Sequence, residues 1–142
     1  MSQLGKLVVK KVEGENEFYW QTLEGHVEDC LKILKVYIEE NHSIIKSFCE
    51  RWKINYKLFL KNLFLTIYLH DIGKLTAQFQ NRIKNGKHSQ DYPHAFFSVP
   101  ILLNLYKEKV IEPLLELKDF PPIELCSVLG HHTQLYRRIY EK

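Results

Sequence analysis

Five of the seven histidines in this chain fall in a pattern that metal-dependent phosphoester chemistry uses. They are His26, His70, His94 and the doublet His131-His132, and Asp71 directly follows His70. Imidazoles and a carboxylate gathered from separate helices are the ligands that one or two divalent metal ions need. Such ions acidify bound water and hold phosphate oxygens. The pattern therefore predicts a metal-dependent hydrolase that acts on phosphodiesters.

None of these residues supports a metal site on its own, because a single histidine on a helix is more often a surface or core residue than a ligand. The positions of these residues on the predicted helices, however, favour a metal site. His26 flanks the apolar stripe of one helix, and His94 belongs to the inward face of another. Unpaired polar groups are costly in an interior, and coordination of a metal would satisfy all of them at once. We therefore favour a metal site over scattered structural histidines.

The His70-Asp71 pair is the best placed of these groups. Asn55 is a candidate N-cap for a helix whose apolar stripe runs from Phe59 to Ile67, and steps of three and four residues from Ile67 reach His70 and Asp71. The pair should therefore face the core in the last turn of that helix, which Gly73 is expected to end. A carboxylate buried there without a partner would cost several kcal/mol, and a metal ion is the simplest partner.

The remaining periodicity predicts an all-α, bundle-like fold with a short extended segment at residues 5–12. Thr22 caps a first helix that carries Leu23, Val27 and Leu31, and a shorter helix follows over residues 43–52. Further helices are expected over residues 75–84, from Asp91 and Pro93 through a kink at Pro100, over 107–117, and from Pro121-Pro122 to Gly130. We expect residues 1–142 to form a single domain.

Composition sets modest limits. A formal charge of +3 allows an anionic partner but is weaker than the charge typical of a dedicated nucleic-acid binder. Cys30, Cys49 and Cys126 show no CxxC spacing, so we interpret them as reduced, partly buried thiols of a cytoplasmic protein. No apolar run is long enough to cross a bilayer, and the N-terminus has no signal-peptide pattern.

The expected ligands indicate the class of metal. An imidazole-rich shell suits Mn, Fe, Co, Ni or Zn better than Mg or Ca, although Mg stays open. Asp71 is the best candidate to bridge two ions about 3.5–4 Å apart, since one carboxylate offers an oxygen to each. Lys74 would hold a substrate phosphate, or it is a solvated lysine at a helix end, and the sequence favours neither. No residue indicates an organic cofactor.

The ordered strings of this chain resemble the HD-domain superfamily of metal-dependent phosphohydrolases, and within it the CRISPR-associated HD nuclease of type I interference. The strings are Gly25-His26-Val27, His70-Asp71-Ile72-Gly73-Lys74, Thr76-Ala77-Gln78-Phe79-Gln80, Pro93-His94-Ala95 and Gly130-His131-His132. The resemblance implies an all-α HD nuclease domain that degrades single-stranded DNA. It also implies partners, namely a fused or separate CRISPR helicase and an RNA-guided surveillance complex.

The resemblance also implies roles for individual residues. His26, His70 and Asp71 would hold one metal ion, and Asp71, His94, His131 and His132 would hold the other, with Lys74 at the scissile phosphate. The family pattern closes with an Asp on a later helix, whereas only Glu141 is acidic after His132. We therefore expect the family's C-terminal helices to be missing and the first metal site to be incomplete.

Two other functions stay open from the sequence. One is an HD phosphohydrolase that acts on nucleotides or cyclic nucleotides, and the other is a degenerate HD fold that serves as a binding module. A nucleotide hydrolase would need elements that enclose and recognise a base, and a chain of 142 residues leaves little length for them. The oligomeric state is not indicated.

Overall fold

The computed structural model describes residues 2–85, 94–115 and 121–131. Along these residues the chain forms a β-hairpin and then a series of helices, so the prediction of an all-α fold with a short extended N-terminal segment is confirmed. The elements are β1 (Leu4–Val12), β2 (Glu15–Thr22), α1 (Leu23–Glu40), α2 (His42–Trp52), α3 (Tyr56–Leu69), a 3-10 turn (Ile72–Leu75), α4 (Ala77–Lys84), α5 (His94–Lys107) and α6 (Ile123–Gly130). No helix in these ranges has the length and apolar character that a membrane span requires.

The N-terminal hairpin contains a second strand that the sequence did not predict. β1 pairs with β2 in antiparallel register, with Val9 opposite Phe18, and the turn between them passes through Gly14 at a φ of 90°. The base of the hairpin is fixed to α4, because the Gln80 side chain accepts from the backbone N–H of Leu4 at 3.0 Å and donates to its carbonyl at 2.9 Å. The hairpin therefore packs as part of the helical domain.

Side-chain caps fix where three helices begin. The side-chain oxygens of Thr22, Asn55 and Thr76 each accept from a backbone N–H three residues ahead. The caps at Thr22 and Asn55 were predicted. Thr76 is a further cap, and because of it α4 begins at Ala77, two residues later than the predicted helix, while the preceding four residues form the 3-10 turn.

The predicted helix over residues 107–117 is wrong for the part that the structure describes. α5 ends at Lys107, and Lys109 adopts a φ of 56°, in the left-handed region. The backbone N–H of Val110 then closes the turn on the carbonyl of Leu105 at 2.9 Å. Pro113 follows, and it could not donate a helical hydrogen bond. The predicted cap at Asp91 and Pro93 and the end of the 107–117 segment lie outside the described residues.

The main apolar core joins α3, α5 and α6. Its buried members are Leu69, Leu102, Ile111, Leu125 and Val128. Leu69 is the last residue of α3 and directly precedes the His70-Asp71 pair. Since that side chain is only 6% exposed, its packing fixes the point from which the pair extends.

A buried polar network ties the same three helices together away from the histidines. Glu124 of α6 is 6% exposed, and one of its oxygens accepts from the Asn62 amide at 2.8 Å and from the Leu114 N–H at 3.1 Å. Its other oxygen accepts from the Tyr106 hydroxyl at 3.0 Å. Burial and the charge of Glu124 together raise the pKa of Tyr106. The carboxylate thus satisfies donors from α3, α5 and the segment after α5.

Removal of this carboxylate should destabilise the fold. We expect Glu124→Ala to lower the free energy of unfolding by about 2 kcal/mol or more, because buried donors would lose their acceptor. Glu124→Gln keeps an acceptor oxygen, so it should lower the free energy of unfolding by less. Denaturant unfolding checks both, with Glu112→Ala as the control, because the Glu112 side chain is exposed and only its backbone carbonyl joins the network. Equal stability of Glu124→Ala and the control would contradict this role.

Candidate metal centre

Asp71 lies at the centre of the candidate site, between the end of α3 and the 3-10 turn. Its side chain is almost fully buried, with the residue 1% exposed. The backbone N–H of Lys74 donates to the carbonyl of Asp71 at 2.9 Å and so closes the turn that holds the carboxylate in place. The chain thus delivers one carboxylate into an interior where an unpartnered charge would be very costly.

The two oxygens of this carboxylate face different groups. Oδ1 lies 2.8 Å from Nε2 of His94 and 3.4 Å from Nε2 of His131. Oδ2 lies 3.1 Å from Nε2 of His26 and 3.2 Å from Nε2 of His70. The imidazoles come from α1, α5 and the ends of α3 and α6, so four helices meet at one carboxylate.

These separations fit ligands that share an ion. Two ligand atoms that each lie about 2.0–2.1 Å from one metal, at angles of about 90–110°, are about 2.8–3.4 Å apart. The four Asp71–histidine distances span the same range, from 2.8 to 3.4 Å. Because each oxygen has its own pair of imidazoles, the arrangement could hold one ion at Oδ1 and a second at Oδ2, with the carboxylate as the bridge.

The orientation of two rings gives an independent indication. Nδ1 of His70 lies 2.6 Å from the carbonyl of Ile67, and Nδ1 of His131 lies 2.5 Å from the carbonyl of Val128. A carbonyl only accepts, so in both rings Nδ1 carries the proton and donates. The Nε2 atoms then face the carboxylate, and either a proton on Nε2 or a metal ion lies between each ring and the carboxylate oxygen. Backbone carbonyls commonly orient metal-binding histidines in this way.

The electrostatics of the site favour an ionised carboxylate. Burial raises the pKa of Asp71, but the hydrogen bonds from His131, His70 and His94 outweigh that effect and hold the pKa far below its usual range. Burial likewise lowers the pKa of His70, yet its hydrogen bond to Asp71 leaves the pKa above the ordinary value. For His26, burial and the charge of Lys74 lower the pKa, which favours a neutral ring.

Lys74 is the one ammonium group on Asp71 among the described residues. Its Nζ lies 2.6 Å from Oδ2, and the residue is only 7% exposed. The same group lies 5.8 Å from the centre of the Phe79 ring. Lys74 is therefore buried beside the carboxylate and is not the solvated helix-end lysine that the sequence left open.

Close packing between the 3-10 turn and α5 brings His94 to Asp71. A Cβ added to Gly73 would lie 2.0 Å from the carbonyl oxygen of His94, so only glycine fits at this contact. The backbone N–H of Gly73 donates to the Ser98 hydroxyl at 3.0 Å, which fixes α5 to the turn. The prediction that Gly73 ends α3 is wrong: the helix ends at Leu69, and Gly73 is required for packing, not for a left-handed φ.

The structure thus brings five of the predicted ligands together, namely His26, His70, Asp71, His94 and His131, with Lys74 beside them. His132, the remaining predicted ligand, lies outside the described residues. Sequence analysis missed Cys30, whose sulfur lies 3.9 Å from Nε2 of His26. Its spacing of four residues from His26 on a helix is the signal that would have found it.

Comparison with known proteins agrees with this geometry. The family model described as "Cas3, HD domain" matches residues 9–138. The chain belongs to the Cas3 HD-domain family. It is also 42% identical over 72 residues to a curated protein of Methanocaldococcus jannaschii named "Putative CRISPR-associated nuclease/helicase Cas3". That match covers 51% of this chain and 9% of the relative's length. No solved structure shows a significant match.

The division of ligands between the two oxygens predicts how metal content responds to substitution. We expect His26→Ala to lose the ion at Oδ2 and His94→Ala to lose the ion at Oδ1, while Asp71→Ala loses both because it removes the bridge. Metal analysis of the dialysed proteins by mass spectrometry, together with calorimetric titration, measures this. His42→Ala is the matched control, since His42 is exposed and packs against Tyr56 instead. A wild-type metal content retained by Asp71→Ala would contradict the assignment.

Proposed function

We propose that this HD domain is a metal-dependent nuclease that hydrolyses phosphodiester bonds of single-stranded DNA in CRISPR type I interference. It would work with a fused or separate helicase and with an RNA-guided surveillance complex. The observation that carries the proposal is the buried Asp71 carboxylate, each of whose oxygens faces its own pair of imidazoles. Such a pair of ion positions suits in-line displacement at a phosphodiester.

The proposed ligands are His26, His70, Asp71, His94, His131 and His132, with one or two ions drawn from Mn, Co, Ni, Fe, Zn or Mg. When bound, the ions would supply an acidified water and hold the phosphate oxygens. Asp71 would fix the spacing between the ions. Lys74 lies at Oδ2, where its ammonium group would stabilise negative charge that develops on a phosphate.

A groove that Asp71 helps to line could receive part of a nucleic-acid strand. Its volume is about 500 Å³, and Asp71, Tyr68 and Leu75 form part of its lining. Tyr68 is 51% exposed and stacks on Phe64, with their ring planes 14° apart. Exposed aromatic rings stack unpaired bases, and this contact is open to a single strand but not to a base that remains stacked in a duplex.

The lining also contains acidic residues that would keep phosphates away from one wall of the groove. Glu24 and Glu28 lie on the α1 wall of the groove and would repel a phosphate backbone. In this proposal the metal ions and Lys74, which lies outside the lining of the groove, would hold the phosphate backbone, and the bases would face Tyr68. The relative's name joins nuclease and helicase, and this chain corresponds to a small part of that protein, so a helicase would act from another part or chain.

Cleavage assays test the proposed activity. Protein reconstituted with Mn, Co or Mg should cleave labelled single-stranded DNA and leave duplex DNA and a nucleotide panel intact. Asp71→Ala should abolish cleavage. Lys74→Ala should slow it by about 100-fold while metal remains bound, since loss of one preorganised donor costs about that much. His42→Ala should cleave at the wild-type rate.

Other outcomes separate the alternative functions. Hydrolysis of nucleotides without cleavage of DNA would show a nucleotide phosphohydrolase. Metal bound without hydrolysis of any of these substrates would indicate a degenerate binding module. Cleavage by Asp71→Ala at the wild-type rate would place the activity elsewhere or in a contaminant.

A further inference from the structure

Cys30 lies on the same face of α1 as His26, one helical turn further along. Its sulfur is 3.9 Å from Nε2 of His26, and its side chain is partly buried. Cys49, by contrast, is buried in α2, and Cys126 is exposed on α6. Among the described residues, Cys30 is the cysteine that shares a candidate metal-binding group with histidines.

The Cys30 sulfur also lies near His70, the second imidazole at Oδ2. The ligand atoms of His26, Cys30 and His70 all lie within 4.8 Å of one another. The His26 and His70 rings are 5.7 Å apart between centres, with both Nε2 atoms within 3.2 Å of Oδ2. Three side chains thus converge on the side of the carboxylate that faces α1.

Known metal–ligand lengths show that this spacing suits a shared ion. With a metal–sulfur bond of about 2.3 Å and a metal–nitrogen bond of about 2.0–2.1 Å, a tetrahedral site separates the two ligand atoms by about 3.5–3.6 Å. The observed 3.9 Å exceeds that by a few tenths of an ångström. A small rotation of the Cys30 side chain would close the difference.

We propose that Cys30 is a ligand of the ion near Oδ2, together with the imidazole nitrogens of His26 and His70. Coordination releases the thiol proton to solvent and leaves a metal–thiolate bond. A sulfur ligand favours Zn, Fe and Co over Mn and Mg. The ion at Oδ1 has only nitrogen and oxygen ligands among the described residues, so the two positions would prefer different metals.

This proposal rests on the metal site of the proposed function, and cobalt spectroscopy tests it without relying on activity. The intact chain is titrated with Co(II), and the near-ultraviolet band of thiolate-to-cobalt charge transfer is recorded beside the visible cobalt bands. The wild type and Cys126→Ser should show both. Cys30→Ser should lose the charge-transfer band and keep visible bands from the histidines, which also shows that it has folded.

Affinity provides a second readout. Cys30→Ser should bind Zn at the Oδ2 position about tenfold or more weakly, a loss typical of changes at a metal site, while Mn affinity changes little. Competition with a chromophoric chelator measures both. Equal Zn affinity in Cys30→Ser and Cys126→Ser would overturn the proposal. So would a charge-transfer band that survives in Cys30→Ser, or cobalt bound to the wild type without that band.

Parallel cleavage assays keep the two proposals distinguishable. Cleavage of single-stranded DNA by a wild type whose cobalt form lacks the charge-transfer band would reject the role of Cys30 and leave the nuclease standing. A charge-transfer band that depends on Cys30, in a protein that cleaves no DNA, would support the sulfur ligand and reject the nuclease. Failure of the wild type to bind cobalt would reject the sulfur ligand together with the metal site.

Discussion

The structure depends on the groups that balance the negative charge of one buried carboxylate. Asp71 is 1% exposed, and within the described residues four imidazoles and one ammonium group surround its two oxygens. Without such partners a carboxylate in this position would be neutralised or would destabilise the fold. With them its pKa falls far below the usual range, and the charge becomes the point on which the helices converge.

The surrounding helices are arranged to keep this point fixed. Leu69 anchors the end of α3 in the apolar core, Gly73 permits the close approach of α5, and Ser98 bonds the two together. On the far side of the core, Glu124 satisfies donors from α3 and α5. A rigid support of this kind matters for chemistry, since small displacements of ligands or substrate reduce rates strongly.

Much of this arrangement was predictable from the sequence because it follows from helical periodicity and capping. The stripe after Asn55 placed His70 and Asp71 at the core, and the position of His94 on its helix followed from the same rule. The second strand, Glu15–Thr22, was missed because Phe18, Tyr19 and Trp20 are all about half-exposed, so the strand has no alternation between buried and exposed residues.

What the sequence missed depends on contacts between distant segments. The partners of Glu124 lie 62, 18 and 10 residues away, and no local pattern marks them. The need for glycine at position 73 arises from α5, not from the local turn. Cys30 has no CxxC partner in the sequence, and its neighbour in the structure is a histidine one helical turn away.

We propose that Asp71 bridges two ions, each on its own oxygen. Anomalous diffraction from crystals of the manganese- or cobalt-loaded protein measures this directly. We expect two peaks about 3.5–4 Å apart, one near Oδ1 with His94 and His131 and one near Oδ2 with His26 and His70. A single ion shared by all four imidazoles, or two ions that do not contact Asp71, would contradict the account.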